Sequence, residues 1–168
     1  MAGLGFDAAM MRDAPEGLKK VVGWPAYVVS AAKHLRGRGI RVKITVDDGE
    51  TLHRRVRTVV VGNVGKLQGG IPLLPDAEAD DGVLDVVVIA PRHLLDWVRV
   101  TARVVRRKDV PDRRMERFRC AHVVIETSRP QPRQLDGDVI EDGTTMDIRI
   151  EKGALPIKVG TRGTGRGR

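Results

Sequence analysis

The chain has 168 residues and a formal net charge of +8, from 30 Lys and Arg against 22 Asp and Glu. This length suits one domain of ordinary size, and the positive charge favours anionic partners: nucleic acid, acidic lipid headgroups or phosphorylated substrates. The single cysteine, Cys120, excludes an internal disulfide and a thiolate zinc site. No apolar run approaches the ~20 residues of a membrane span, and the first residues lack a secretory signal. We therefore expect a cytoplasmic protein that touches a membrane surface.

The first part of the chain is predicted to be helical. Glycines beside the apolar start of 3–11 suggest a tight turn into a helix. The segment 15–35 has a helical pattern that is interrupted near Pro25, and proline suits the first turn of a second helix. Gly37 and Gly39 are expected to end that helix.

Strands follow. Apolar and polar residues alternate from Ile40 to Val46, which predicts a half-buried strand. Residues 47–50 are predicted to form a hairpin turn, since Asp-Gly tolerates the positive φ that such turns require. The partner strand is expected from Thr51 into residues 59–61. The next strong strand is predicted over 84–89, and its continuous apolar run, 86–89, predicts burial on both faces.

The second half adds one helix and further strands. Pro91 opens a helix that is predicted to reach Arg107, followed by a charged and irregular segment over 108–119. Three late strands are predicted: one at 120–127, a short one leading into Leu135, and one at 145–151. The overall pattern is β-rich and antiparallel, with one or two helices at the start and one inserted. A Gly- and Arg-rich tail, 160–168, is expected to be disordered.

An acidic loop precedes the strand at Leu84. It carries four carboxylates within six positions: Asp76, Glu78, Asp80 and Asp81. Oxygen ligands on a flexible loop suit Mg²⁺ or Ca²⁺. The loop is not an EF-hand, because Asp81 stands at the glycine position and Val87 at the closing glutamate position. A solvated acidic turn is the alternative interpretation.

A second group of carboxylates is Asp136-Gly137-Asp138. The pattern is typical of a plain Asp-Gly turn. It also places a carboxylate where it could accept a proton from a substrate hydroxyl, as phosphoryl-transfer enzymes require. Both interpretations stay open on the residues alone.

Basic residues cluster on and after the predicted inserted helix. They form either a solvated helix face or a docking site for anionic lipid, where each basic residue adds roughly 1 kcal/mol. Nucleic-acid binding is disfavoured because aromatic residues make up 3% of the chain and no nucleic-acid motif appears. The four histidines are dispersed and are expected to be surface or packing residues. The basic set is Arg99, Arg103, Arg106, Arg107, Lys108, Arg113, Arg114, Arg117 and Arg119.

Three ordered segments resemble the C-terminal domain of the bacterial lipid kinase family. This family includes diacylglycerol kinases and is related to sphingosine and ceramide kinases. The resemblance spans residues 2–159. The segments are Gly5-Phe6-Asp7-Ala8, then the run from Gly62-Asn63 through Gly69-Gly70, Pro75 and Ala77 to Asp81-Gly82-Val83-Leu84-Asp85, then Asp136-Gly137-Asp138.

The resemblance implies a fold and a set of partners. The family has two domains, and its Gly-Gly-Asp-Gly-Thr nucleotide motif is absent from this chain. We therefore expect residues 1–159 to form the second domain alone: α+β, mainly β, an antiparallel β-sandwich with N-terminal helices and one inserted helix. The implied partners are a lipid substrate, an anionic membrane surface and the missing N-terminal nucleotide-binding domain, with a homodimer left open. Nucleic acid is not expected.

The resemblance also implies site residues and a reaction. A structural Mg²⁺, or Ca²⁺, would be bound by the backbone carbonyls of Glu78 and Val83 and the side chain of Asp81. The complete enzyme would use Mg-ATP to phosphorylate a lipid hydroxyl. Asp138 would be the catalytic base, at a position where the family usually has glutamate, and Asp136 would support it. The isolated chain is expected to have little or no kinase activity. The alternative function is a non-catalytic, metal-stabilised β-domain that binds anionic lipid or a partner kinase domain.

Overall fold

The structure is a computed structural model of the chain. It describes residues 1–5, 8–9, 39–65, 74, 77–91, 96, 114–156 and 158. Eight β-strands form its regular framework among these residues. They are β1 Ala2–Gly5, β2 Ile40–Val46, β3 Thr51–Val56, β4 Thr58–Gly62, β5 Leu84–Ile89, β6 Met115–Cys120, β7 His122–Leu135 and β8 Asp138–Arg149.

The strands form one antiparallel sheet in the order β3-β2-β7-β1-β4-β5-β6, with β8 paired to β7. The sheet curls far enough for its two end strands, β3 and β6, to be joined by an ion pair. The Nε atom of Arg54 on β3 lies 2.9 Å from Oε1 of Glu116 on β6. The mainly β, antiparallel character that was predicted from the sequence is therefore confirmed.

The core lies inside the curl and is built from aliphatic residues. All six residues of β5 are buried, as the continuous apolar run predicted. This strand lies between β4 and β6, so neighbours cover both of its edges. Leu4, Ile44 and Ile125 are among the largest fully buried side chains, and they come from three different strands of the sheet. Because aromatic residues are scarce, Val, Ile and Leu provide most of the buried apolar area.

Several strand predictions were wrong in their bounds. Residues 2–5 form a strand rather than a turn into a helix, although Ala8 and Ala9 beyond it are helical. The segment predicted as irregular contains β6, an edge strand whose polar side chains stay partly exposed. The strand β7 runs through Pro130 and Pro132 to Leu135, because its pairing with β8 is irregular there and proline is tolerated at bulges.

The predicted helices lie largely outside the described residues. The segment 15–35 is wholly outside them. Of the inserted helix, Asp96 is described; it is helical and buried, and its Oδ1 lies 2.8 Å from Nε of Arg114. None of the described helical residues belongs to a helix long and apolar enough to cross a membrane.

Candidate functional site

The segment Asp136-Gly137 forms a two-residue hairpin turn between β7 and β8. Leu135 and Asp138 are paired across it. Both turn residues have positive φ, 48° at Asp136 and 96° at Gly137, which is the pattern of a type I′ turn. The plain-turn interpretation is therefore correct as local structure. The same turn also holds two carboxylates at the exposed end of a rigid hairpin.

The turn is attached to the first strand of the chain. The backbone N–H of Asp136 donates to the carbonyl oxygen of Met1 at 2.7 Å. The amino group of Met1 lies 2.5 Å from Oδ1 of Asp136. Ala2 of β1 is then paired with Leu135. Asp136 thus acts in this structure as an anchor between the hairpin and β1.

Asp138 differs from Asp136 in its surroundings. It is exposed, and its carboxylate makes no hydrogen bond or ion pair with the described part of the chain. Exposed apolar side chains stand close to it in sequence: Leu135, 47% exposed, is its cross-strand partner, and Val139, 39% exposed, follows it. The carboxylate of Asp138 thus lies next to exposed apolar side chains.

A fully buried polar side chain supports the turn from below. Gln134 is 0% exposed, and its Oε1 accepts a hydrogen bond from the Gly137 N–H at 2.8 Å. The local sequence gave no signal for this role, since glutamine is usually a surface residue. Through this hydrogen bond, Gln134 stabilises the backbone that carries Asp136 and Asp138.

Gln134→Leu should therefore lower the free energy of unfolding by about 1–3 kcal/mol, because a buried hydrogen bond is lost at nearly constant volume. Urea unfolding followed by circular dichroism measures the change. Gln131→Leu is the matched control on the same strand, where the side-chain hydrogen bond to Arg129 is exposed. Its effect should stay within about 0.5 kcal/mol. Equal losses in the two variants would contradict the anchoring role.

The acidic loop is organised around Asp81. Its Oδ1 accepts a hydrogen bond from the Val83 N–H at 2.9 Å. Its Oδ2 is ion-paired with the guanidinium of Arg119 on β6. Arg119 also reaches toward Asp85 on β5, with Nε 3.7 Å from Oδ1. Glu78 and Asp80 are exposed to solvent. The loop is thus tied to the sheet through Asp81, and Arg119 is a partner that the sequence interpretation missed.

The donor set partly fits a hard cation. Asn63 donates through Nδ2 to the carbonyl oxygen of Ala79 in this loop, at 3.2 Å. Its Oδ1 is buried and has no hydrogen-bond partner among the described residues. This amide oxygen beside the acidic loop matches the oxygen chemistry that Mg²⁺ and Ca²⁺ prefer. No group of three or more His, Cys, Asp or Glu placed to hold a metal occurs within the described ranges.

The two candidate groups lie at the same end of the sheet. One cross-strand row joins Leu135, Ala2, Val61 and Val86 through successive strand pairs. Strand β7 ends at this row, and Asp136 follows directly after it. Strand β5 begins near the same row, directly after the acidic loop, so both groups lie beyond the same end of the sheet. Three strand spacings separate β7 from β5, so the groups are roughly 14 Å apart along the sheet. The predicted site residues therefore share one rim of the sheet rather than one pocket.

Other reactive side chains are structural. Burial first, and then the charges of Asp47 and Asp85, raise the pKa of the Cys120 thiol to about 11, so Cys120 is not a thiolate nucleophile at neutral pH. The buried ring of His122 lies between two carboxylates, with Nδ1 3.0 Å from Asp48 and Nε2 2.9 Å from Asp147. This contact ties the β2–β3 turn to β8, at the sheet end opposite the candidate rim.

The predicted turn at Asp47-Asp48 is confirmed. Both residues have positive φ, and Oδ1 of Asp47 accepts hydrogen bonds from the N–H groups of Ala121 and His122. Of the predicted basic set, Arg114, Arg117 and Arg119 are described. The others, from Arg99 to Arg113, lie outside the described residues.

Comparison with known proteins gives consistent relatives. The chain is 31% identical over 170 residues to "Probable lipid kinase YegS-like" of Alcanivorax borkumensis, covering 94% of this chain and 53% of that protein. It is 24% identical over 139 residues to the diacylglycerol kinase of Bacillus subtilis, covering 82% and 46%. The chain thus spans about half the length of the curated relatives it matches.

A solved structure shows the same fold. The crystal structure of a diacylglycerol kinase from Bacillus anthracis matches with a TM-score of 0.58 at 20% identity, covering 90% of this chain and 46% of that one. A family model described as the YegS C-terminal NAD kinase β-sandwich-like domain matches residues 1–159. The chain therefore belongs to the family of C-terminal domains found in YegS and diacylglycerol kinase proteins.

Proposed function

We propose that the chain is the lipid-side domain of an ATP-dependent kinase that phosphorylates a lipid hydroxyl, such as that of diacylglycerol. The observation that carries the proposal is the Asp136-Gly137 turn. It presents the carboxylate of Asp138, which has no partner among the described residues, beside exposed Leu135. The names of the relatives support the reaction class. Nucleotide binding falls to a domain outside this chain, since the relatives are about twice as long.

In the proposed reaction, the lipid hydroxyl oxygen attacks the γ-phosphorus of ATP and its proton passes to Asp138. The bond between the γ-phosphorus and the β,γ-bridging oxygen breaks, and ADP leaves. Phosphoryl transfer depends on positioning and charge stabilisation more than on covalent help from the protein. In this chain the hairpin provides the positioning. Hydrogen bonds of Gln134 and Asp136 hold the turn in place. Asp138 is the first residue of β8 and is paired with Leu135 of β7.

The test of this proposal is transfer of labelled phosphate from ATP to diacylglycerol. The chain is fused behind the nucleotide-binding half of a two-domain relative, and the lipid is supplied in detergent micelles. Phosphorylation by the fusion, but not by either half alone, is the expected result. A fusion that binds ATP yet never phosphorylates the lipid would count against the proposal.

We also propose that the acidic loop binds a structural Mg²⁺ or Ca²⁺ through the carbonyls of Glu78 and Val83 and the carboxylate of Asp81. Bound there, the cation would neutralise the loop carboxylates. Support comes from the orphaned Oδ1 of Asn63 beside the loop and from the partly buried carboxylate of Asp81. Arg119 is ion-paired with one oxygen of Asp81, so this ion pair would have to break when the cation binds. The guanidinium of Arg119 could then pair with Asp85, whose Oδ1 already lies 3.7 Å from its Nε.

Asp81→Ala should lower the melting temperature and remove its dependence on Mg²⁺ or Ca²⁺. For the unmodified chain, a cation at 100 times its Kd adds about 2.7 kcal/mol, which corresponds to roughly 5–10 °C. Differential scanning calorimetry with cation and with chelator measures both effects. Asp80→Ala is the matched control, because Asp80 is an exposed carboxylate of the same loop. If the unmodified chain melts at the same temperature with cation and with chelator, the site does not exist.

We place the complete protein in the cytoplasm, at the inner membrane surface, where its lipid substrate would be found. The net charge of +8 supports this location, because the cytoplasmic leaflet is rich in anionic lipid. A homodimer remains a proposal that size measurement in solution would test.

A further inference from the structure

The outer face of β2 and β3 carries four basic side chains. Arg41, Lys43, His53 and Arg55 are all exposed, and we call them the basic face. They alternate with inward-pointing residues such as the buried Val42 and Ile44, as the period-2 geometry of a strand requires. The four side chains therefore form one continuous patch on the outside of the sheet.

The strand register brings the charges of this face together. Arg41 lies directly opposite Arg55, and Lys43 lies directly opposite His53. Like charges directly opposite each other across an antiparallel pair, as at Arg41 and Arg55, are destabilising. A sheet face that only had to be soluble would be more stable with opposite charges at these positions.

Among the described residues, the two arginines of the basic face have no acidic partner. Lys43 has an acidic partner, with Nζ 2.8 Å from Oε2 of Glu126. Arg41 and Arg55 form no ion pair within the parts of the chain that the structure describes. By contrast, Arg54, on the other face of β3, binds both carboxylate oxygens of Glu116 at 2.9 and 3.1 Å.

The positive charge is local. Burial, and next the charge of Arg55, lower the pKa of Arg57, so the field of the basic face is felt by its neighbour. On the strands beyond β2, the same sheet face carries Glu126 on β7 and Asp147 on β8. Arg149 on β8 also lies on this face, with its Nε 3.7 Å from Oδ1 of Asp147. Among these described residues, the arginines without an ion pair therefore lie on β2 and β3, which orients the domain relative to an anionic surface.

We propose that the basic face docks the domain on a bilayer surface of anionic phospholipid, an inference that rests on the proposed function because a lipid kinase must reach a substrate held in a membrane. Guanidinium groups bind phosphate oxygens through paired N–H donors, and two arginines side by side suit the phosphates of adjacent headgroups. Single-stranded nucleic acid is less suited to this face, because no aromatic side chain is interleaved with the four basic residues.

The test is flotation of the 168-residue chain with vesicles, without ATP. The vesicles contain phosphatidylcholine alone or phosphatidylcholine mixed with phosphatidylglycerol. The double variant Arg41→Gln, Arg55→Gln should bind the anionic vesicles about 30-fold more weakly than the unmodified chain, from roughly fivefold for each charge near the surface. The variant Arg41→Lys, Arg55→Lys keeps both charges and should retain most of the binding.

The matched control is Arg149→Gln, Lys158→Gln, which removes the same formal charge from two exposed positions outside β2 and β3. It should change binding by less than about twofold, since screening limits distant charges. Equal losses in the test and control variants would overturn the proposal. So would equal binding of the unmodified chain to neutral and anionic vesicles, or tighter binding of duplex DNA that is lost in the same test variant.

The outcome separates docking from catalysis. The kinase proposal is measured on micellar lipid with the fused enzyme, where no bilayer is needed. Phosphorylation in micelles without vesicle binding would refute the basic face as a docking surface and leave the kinase proposal intact. Vesicle binding that depends on Arg41 and Arg55, without any phosphorylation, would support docking and refute the kinase proposal.

Discussion

Asp138→Asn should lower kcat for lipid phosphorylation by about 10²–10⁴-fold in the fused two-domain enzyme, the contribution expected of a general base. Asparagine preserves the size of the side chain but cannot take the hydroxyl proton. Because Asp138 is exposed and has no described partner, the fold itself should be almost unaffected. Initial rates at saturating lipid and ATP measure the effect, and the melting temperature checks that the domain remains folded.

Two further variants give this prediction its controls. Asp138→Glu introduces the residue that the family resemblance implies at this position, and it should retain substantial kinase activity. In Asp136→Asn, asparagine tolerates the positive φ and keeps the backbone hydrogen bond to Met1. The fall in kcat should therefore be much smaller than in Asp138→Asn. Full activity of Asp138→Asn would show that the base is another group.

Gly5→Ala should lower the free energy of unfolding by about 3 kcal/mol, from positive-φ strain together with overpacking. Gly5 has a φ of 92°, and a Cβ atom there would lie 2.7 Å from the Arg57 carbonyl oxygen and 2.7 Å from Cδ1 of Ile40. A backbone oxygen held in the sheet cannot move aside as a flexible side chain could. The expected fall in melting temperature is roughly 6–12 °C.

Gly153→Ala is the matched control for Gly5→Ala. Gly153 also has positive φ, 68°, but a Cβ atom would meet nothing within 4 Å. Gly153→Ala should therefore lower the free energy of unfolding only by the strain of the positive φ, about 1–2 kcal/mol. If both glycine variants lost the same stability, the close approach of β1 to Arg57 would have no energetic role.

The parts of the fold with a clear pattern of apolar residues were predictable from the sequence. The alternation in 40–46 and the following Asp-Gly turn led directly to β2 and its hairpin with β3. The uninterrupted valines of β5 correctly indicated burial on both faces. In each case the local pattern matched the environment that the tertiary structure provides.

The strands without such a pattern were missed. The four residues of β1, Ala-Gly-Leu-Gly, are too short and too rich in glycine to signal a strand, and their central position comes from pairing with β4 and β7. The strand β6 was hidden by its charged residues, which an edge strand accommodates. The length of β7 depends on the tolerance of a bulge for Pro130 and Pro132.

The candidate site was partly predictable. Asp136 and Asp138 were identifiable from an Asp-Gly turn and a family resemblance. Their placement on the same sheet rim as Asp81 was not, because it depends on the strand order β7-β1-β4-β5. The pairing of Arg119 with Asp81 and the buried support from Gln134 are long-range or orientational features. No local pattern in the sequence encodes them.

The most direct measurement of the central proposal is ATP-dependent phosphorylation of micellar diacylglycerol by three samples. These are the isolated chain, the chain fused behind the nucleotide-binding half of a relative, and that fusion carrying Asp138→Asn. We predict phosphorylation by the fusion, almost none by the isolated chain, and a loss of at least about 100-fold in the variant fusion. Robust phosphorylation by the isolated chain, or a variant fusion as active as the unmodified one, would contradict the assignment of this domain as the lipid side that supplies the base.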